Sequence, residues 1–153
     1  MCIRDRDEYV TDVVASATGN SIAGTREFGL DSKEGLFVDM EVLGIDLPLT
    51  LTFSSFDLGS NVVDIFSLIR VPDQGYMAAG NTGGTEQSGD MFFMFLDQNG
   101  NNITYPETFI TGGTGLQSIN DDIIDSEGKI VAVGINSYEN NSLITLIKFD
   151  PWE

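Results

Sequence analysis

The chain has no histidine, a single cysteine, four prolines and only seven basic residues among 153. Without histidine it lacks the commonest general base and the commonest transition-metal ligand. One cysteine excludes an internal disulfide, a thiolate zinc site and CxxC redox chemistry. Seven Lys plus Arg against 24 Asp plus Glu leave a formal charge of −17, so no basic face is available for DNA, RNA or an anionic membrane. No stretch approaches ~20 consecutive apolar residues, which excludes a transmembrane helix in this segment. Nor does any window of useful length keep apolar residues at i, i+3, i+4 and i+7, so little helix is expected.

What remains is the composition of a folded protein. Hydrophobic residues make up 41%, with 10 Phe and 17 Gly, which sets the chain apart from disordered acidic sequences. The length suits one medium domain or one array of small units. Residues 1–6, Met1-Cys2-Ile3-Arg4-Asp5-Arg6, resemble translated read-through of a sequencing adapter and are set aside from fold reasoning. The native start is then expected upstream. The other end, Phe149-Asp150-Pro151-Trp152-Glu153, stops just after a strand-like run and reads as cut as well.

Self-similarity is the strongest signal in the sequence. Ser21-Ile22-Ala23-Gly24, Met77-Ala78-Ala79-Gly80 and Val131-Ala132-Val133-Gly134 align, their closing glycines 56 and 54 residues apart. A second anchor follows each: Leu36 to Gly44, Met91 to Asp97 and Leu143 to Asp150. A third precedes each: Val10 to Val14, Val63 to Ile69 and Ile119 to Ile124. Residues 7–60 form repeat 1, residues 61–115 repeat 2, and residues 116–153 an incomplete repeat 3. Each reads as four short strands bounded by Gly, Asn, Asp and Ser. In repeat 2 these are predicted at 62–71, 76–82, 91–97 and 103–110. Asp97-Gln98-Asn99-Gly100-Asn101 is predicted to be a hairpin turn, because Gly supplies the positive φ such turns need. Met91 to Leu96 is apolar without alternation, so both faces of that strand should be buried. A four-stranded antiparallel repeat of this length, covered on both sides by its neighbours, is expected to be the blade of a β-propeller.

The pattern is similar to bacterial propeller repeats written D-G-G-Y-I-x-A-G-x-T followed by an aromatic strand ending L-D-x-N-G, which include the delta-60 type and related secreted repeats. Asp73, Gly75, Tyr76, Ala79, Gly80 and Thr82 carry the first part, and Phe93, Leu96, Asp97, Asn99 and Gly100 the second. The third copy keeps Gly128, Lys129, Ile130, Val131 and Gly134, with Pro151 in place of the Asn-Gly turn. The first has Gly44 where an Asp is expected. Gly83-Gly84 and Gly112-Gly113 resemble kelch doublets, but the Tyr and Trp that should follow are missing. The resemblance implies an all-β fragment, about three blades, of a larger secreted or cell-surface bacterial propeller. It implies no single shared activity. Propellers close with four to eight blades, so the outer faces of the first and third blades should expose apolar surface and favour self-association.

Candidate chemistry is thin. Asp97, Asn99 and Asn101 offer oxygen ligands at alternate positions and make calcium the one cofactor candidate, yet Gly100 and Glu107 are off the EF-hand register. Asp121, Asp122 and Asp125, with Asp12 and Asp64 placed at comparable points of the other repeats, are candidates to line the axis and hold a cation or a basic group. With 24 acids some close carboxylate pair is inevitable, so glycosidase chemistry gets no specific support. Gly83-Gly84-Thr85 and Gly112-Gly113-Thr114-Gly115 lack the Lys and following helix of a phosphate loop and read as connecting turns. Phe92, Phe93 and Phe95 read as core. Asn102-Ile103-Thr104 and Asn140-Asn141-Ser142 are formal glycosylation sequons. The acidity suits an extracellular setting in which salt screens charge. The expected function is therefore a non-catalytic binding or structural module presenting loops for protein or glycan contact. The alternatives are a piece of a carbohydrate-active propeller enzyme, or a calcium-dependent adhesion domain.

Overall fold

The computed structural model describes residues 7–15, 19–28, 32–41, 50–56, 58, 63–85, 88–103, 108–138 and 141–152. The adapter-like residues 1–6, Gly44, Thr104, Glu107 and Asn140 lie outside them. Among the described residues every regular element is a strand: β1 (Asp7–Ala15), β2 (Gly19–Glu27), β3 (Lys33–Glu41), β4 (Thr50–Phe56), β5 (Val63–Val71), β6 (Gly75–Thr85), β7 (Ser88–Leu96), β8 (Phe109–Thr111), β9 (Gln117–Ile124), β10 (Ile130–Tyr138) and β11 (Asn141–Phe149). They form three antiparallel meanders in chain order, β1-β2-β3-β4, β5-β6-β7-β8 and β9-β10-β11. Each sheet holds one of the three sequence repeats, and the aligned segments occupy its first, second and third strands.

The middle sheet is packed on both faces, which is why β7 reads as an unbroken apolar run. Phe92, Met94 and Leu96 point toward the first sheet and share a core with Ala23, Phe37, Tyr76 and Ala78. Met91, Phe93 and Phe95 point the other way, into a second core with Met77, Ala79, Ile119, Ile130 and Ala132. Each buried Phe contributes on the order of 2–3 kcal/mol, so this one strand anchors both sheet-to-sheet interfaces. The sheets stack with their first strands adjacent, β1 against β5 and β5 against β9.

The closing glycines have a common cause. In each sheet the first strand bulges by one residue, at Thr11, Phe66 and Asn120, where the pairing with the second strand skips a position. The bulge pushes the carbonyl of the residue two places earlier onto the second strand. A Cβ on Gly24, Gly80 or Gly134 would overlap the carbonyl oxygen of Tyr9, Asp64 or Ser118 respectively. Only glycine leaves that space, so the repeat signature follows from the bulge.

Turns form where the sequence indicates. Asp73 and Gly75 take positive φ (62° and 132°) between β5 and β6, and Gly100 takes 79° in the Asp97 turn. Two boundaries differ from expectation. Gly83-Gly84-Thr85 is no connecting turn, since β6 continues through Thr85, which pairs with Ser88. The fourth strand of the middle sheet is Phe109–Thr111 rather than 103–110. Among the described residues, pairing with β7 is found at Asn102, opposite Leu96, and from Phe109, opposite Phe93.

Candidate functional site

The acidic residues singled out in the sequence separate into three groups. The first lies just past the bulges, where Asp12, Ser67 and Asp121 occupy equivalent positions opposite Ala23, Ala79 and Val133. Asp12 Oδ1 accepts the N–H of Val13 at 2.8 Å, and Oδ2 accepts the N–H of Leu68 at 2.8 Å, crossing from the first sheet to the second. Asp121 repeats the local half of this arrangement, Oδ1 accepting the N–H of Asp122 at 2.9 Å.

Between the second and third sheets, Ser67 and Asp122 meet at the corresponding place. Asp122 is 3% exposed and Ser67 1%, and among the described residues neither the two carboxylate oxygens nor the hydroxyl has a hydrogen-bond partner. Burial pushes the Asp122 carboxyl up to about 7. The nearby Ser67 hydroxyl opposes the shift, close enough to be felt though outside hydrogen-bond geometry, and the charges of Asp121 and Asp12 add to it. A desolvated carboxyl with two acidic neighbours is stabilised by a proton.

The second group belongs to turns. Asp97 Oδ1 accepts the N–H groups of Asn99 and Asn101, each at 2.8 Å, while the Asn101 amide donates to Oδ2 at 3.0 Å. Partial burial opposes ionisation, but these bonds outweigh it and hold the carboxyl below its usual range. Asp125 was grouped in the sequence with the axial acids, and here the structure corrects the reading. It is the Asp97 of another Asp-x-x-Gly-x turn, accepting the N–H groups of Glu127 at 2.8 Å and Lys129 at 3.0 Å. Gly128 takes φ 82° where Gly100 takes 79°. Lys148 sits 2.6 Å from Asp125 Oδ2, and with the turn N–H groups it draws the carboxyl down to about 2. The repeated spacing of Asp97 to Gly100 and Asp125 to Gly128 was visible in the sequence.

Asp64 forms the third group. It precedes the bulge, level with Tyr9 and Ser118, and is not the counterpart of Asp12. It pairs with Lys33 at 3.2 Å, as does Glu27. Burial works against the Lys33 charge, but the two acids outweigh it and raise its pKa. Among the described residues no three acidic, cysteine or histidine side chains converge as a metal site.

Beside the Asp97 turn lies an open groove of about 410 Å³, bounded by Ser54, Ser55, Asn101 and Asn102 over a base of Phe56, Leu58 and Met94. Sequence reasoning missed Ser67 and this groove. Ser67 and Asp121 each stand 13 residues before their closing glycine but Asp12 only 12 before its own, so alignment on the glycines places Leu68 level with Asp12 and hides Ser67; the groove joins β4 to a turn of the next repeat and has no sequence signature.

The chain matches no protein-family model and no curated protein.

Proposed function

We propose that the chain is a non-catalytic binding or structural module of a secreted or cell-surface bacterial β-propeller protein, its three sheets serving as successive blades. The meander order, the adjacent first strands and the recurring bulge opposite a closing glycine support the propeller reading. The acidic composition and the sequence resemblance support the extracellular setting.

The groove between β4 and the Asp97 turn carries the binding reading. Its rim of two hydroxyls and two carboxamides over an apolar base suits ligands that present hydroxyls and amides over small apolar patches, as glycans and extended peptides do. Asp97 is occupied by its own turn, so the groove offers hydrogen-bonding groups without a paired acid and base.

NMR titration of the full chain against oligosaccharide and peptide panels tests this. Shift changes confined to Ser54, Ser55, Asn101 and Asn102, and abolished by Ser55→Trp, are expected. Hydrolysis of any oligosaccharide, or titrations that leave these residues unmoved, would overturn the reading. A rise in melting temperature with calcium that chelation reverses would favour the adhesion alternative.

A further inference from the structure

Each sheet has a forward face, toward the sheet that follows, and a back face, toward the one before. On the forward face Ala23, Ala79 and Val133 are equivalent in the second strand, and their cross-strand partners Phe37, Phe93 and Leu146 in the third. The first two forward faces are covered by the back face of the next sheet. The Phe37 ring lies 5.1 Å from that of Tyr76, and the Phe93 ring 4.9 Å from that of Phe149. The third forward face is open. Val133 and Leu146 are exposed, the latter by 72%, and so are Ile123, Ile135 and Ile144. The first back face is exposed along its outer strands, at Val13, Leu51 and Phe53, while Leu36 and Val38 in its third strand are buried. Ile22 and Val38 stand there level with Ala78 and Met94 of the second sheet and Ala132 and Ile147 of the third.

We propose that the forward face of the third sheet receives the back face of the first sheet of a second copy of this chain, head to tail. The fold contains this forward-on-back contact twice, and each end of the stack presents exposed apolar residues of one half of it. The Asp12 bond to Leu68 has no ready counterpart at this contact, because the N–H of an incoming first strand level with that of Leu68 belongs to Val13 and is already donated to Asp12, so the contact rests on the apolar faces. Two copies of three sheets supply six, within the four to eight of closed propellers. The contact rests on the repeated interface, and only the stop at two copies rests on the propeller reading above. With −17 on each chain, association should strengthen as salt screens the repulsion.

The test is sedimentation of the full chain from 1 to 200 µM at low and high salt, with two variants altered only at exposed positions. Ile144→Glu with Leu146→Glu blocks the forward face, and Val13→Glu with Phe53→Glu blocks the back face. The unaltered chain should dimerise, more tightly at high salt. Each variant alone should weaken association at least tenfold, and an equimolar mixture should recover 1:1 pairs, since each brings the face the other lacks. A monomer at 200 µM overturns the proposal, as does a back-face variant that associates normally, which would mean that forward faces pair with each other. Open-ended polymers in place of dimers would uphold the contact and overturn the propeller reading. Should a variant fail to fold, hydroxyl-radical footprinting of the unaltered chain decides. Ile144, Leu146, Val13 and Phe53 should all lose reactivity with rising concentration, and loss on one face alone overturns the proposal.

Discussion

The carboxylate of Asp12 accepts the backbone N–H of Leu68 at 2.8 Å, tying the bulged first strand of one sheet to the first strand of the next. Leu68 is buried, so this N–H has no water to replace its partner. Asp12→Ala should cost about 1–2 kcal/mol, read by urea unfolding. Faster hydrogen exchange at Leu68 than at Ile69 would locate the loss, and an unchanged Leu68 rate would refute it. The same change removes one of the charges that raise the Asp122 pKa.

Asp122 should make stability fall as pH rises. Its folded pKa of about 7 lies above the ordinary 3.8, so the folded state binds this proton more readily than the unfolded chain. The penalty is absent below about pH 4, grows between 4 and 7, and is constant above. A shift of this size corresponds to a few kcal/mol at full development, roughly 4 as an upper bound. Asp122→Asn should therefore raise the melting temperature at pH 8 and leave it nearly unchanged at pH 4. An equal effect at both values would show that the carboxyl does not titrate in this range.

The bulge leaves no room for a side chain at the closing glycines. Gly80→Ala would press a methyl group onto the Asp64 carbonyl and should cost about 2–4 kcal/mol. Gly113→Ala meets no atom within 4 Å and should stay within about 0.5 kcal/mol of the parent. Equal losses in chemical denaturation would mean that the overlap is relieved by backbone movement.

Lys148 and Asp125 should act in the opposite direction on the pH scale. The Asp125 carboxyl, drawn down to about 2 by Lys148 and the turn N–H groups, contributes stability above about pH 4 that is lost as pH falls through 2. Lys148→Met should lower the melting temperature modestly at pH 6, less so in 1 M salt because the pair is exposed. The difference should vanish near pH 2. A deficit that persists there would point to lost packing by the lysine stem.

Much of the fold was legible from local properties. Short strand-like runs bounded by Gly, Asn, Asp and Ser, and the recurrence of Gly24, Gly80 and Gly134, depend on single strands and tight turns, so they survive in a linear reading. The unbroken run from Met91 to Leu96 even announced a sheet buried on both faces. The fourth strand was misplaced because the pairing of β8 depends on β7, which no local pattern records. The candidate site was legible only as a supply of acids. Asp125 and Asp64 looked equivalent to Asp12 and Asp122 until pairing assigned one to a turn and the other to Lys33.

The sequence by itself determined an all-β chain of three similar units with a large excess of negative charge, since composition and periodicity are properties of the chain. Tertiary structure decided what each acid does. Asp121 and Asp122 are adjacent and chemically identical, yet one is exposed and the other is 3% exposed against an unpartnered Ser67. The bulge at Asn120 shifts the strand by one residue and so selects which of the two faces the neighbouring sheet. Burial then sets the charge of Asp122, because a carboxyl removed from water and flanked by like charges is held by a proton.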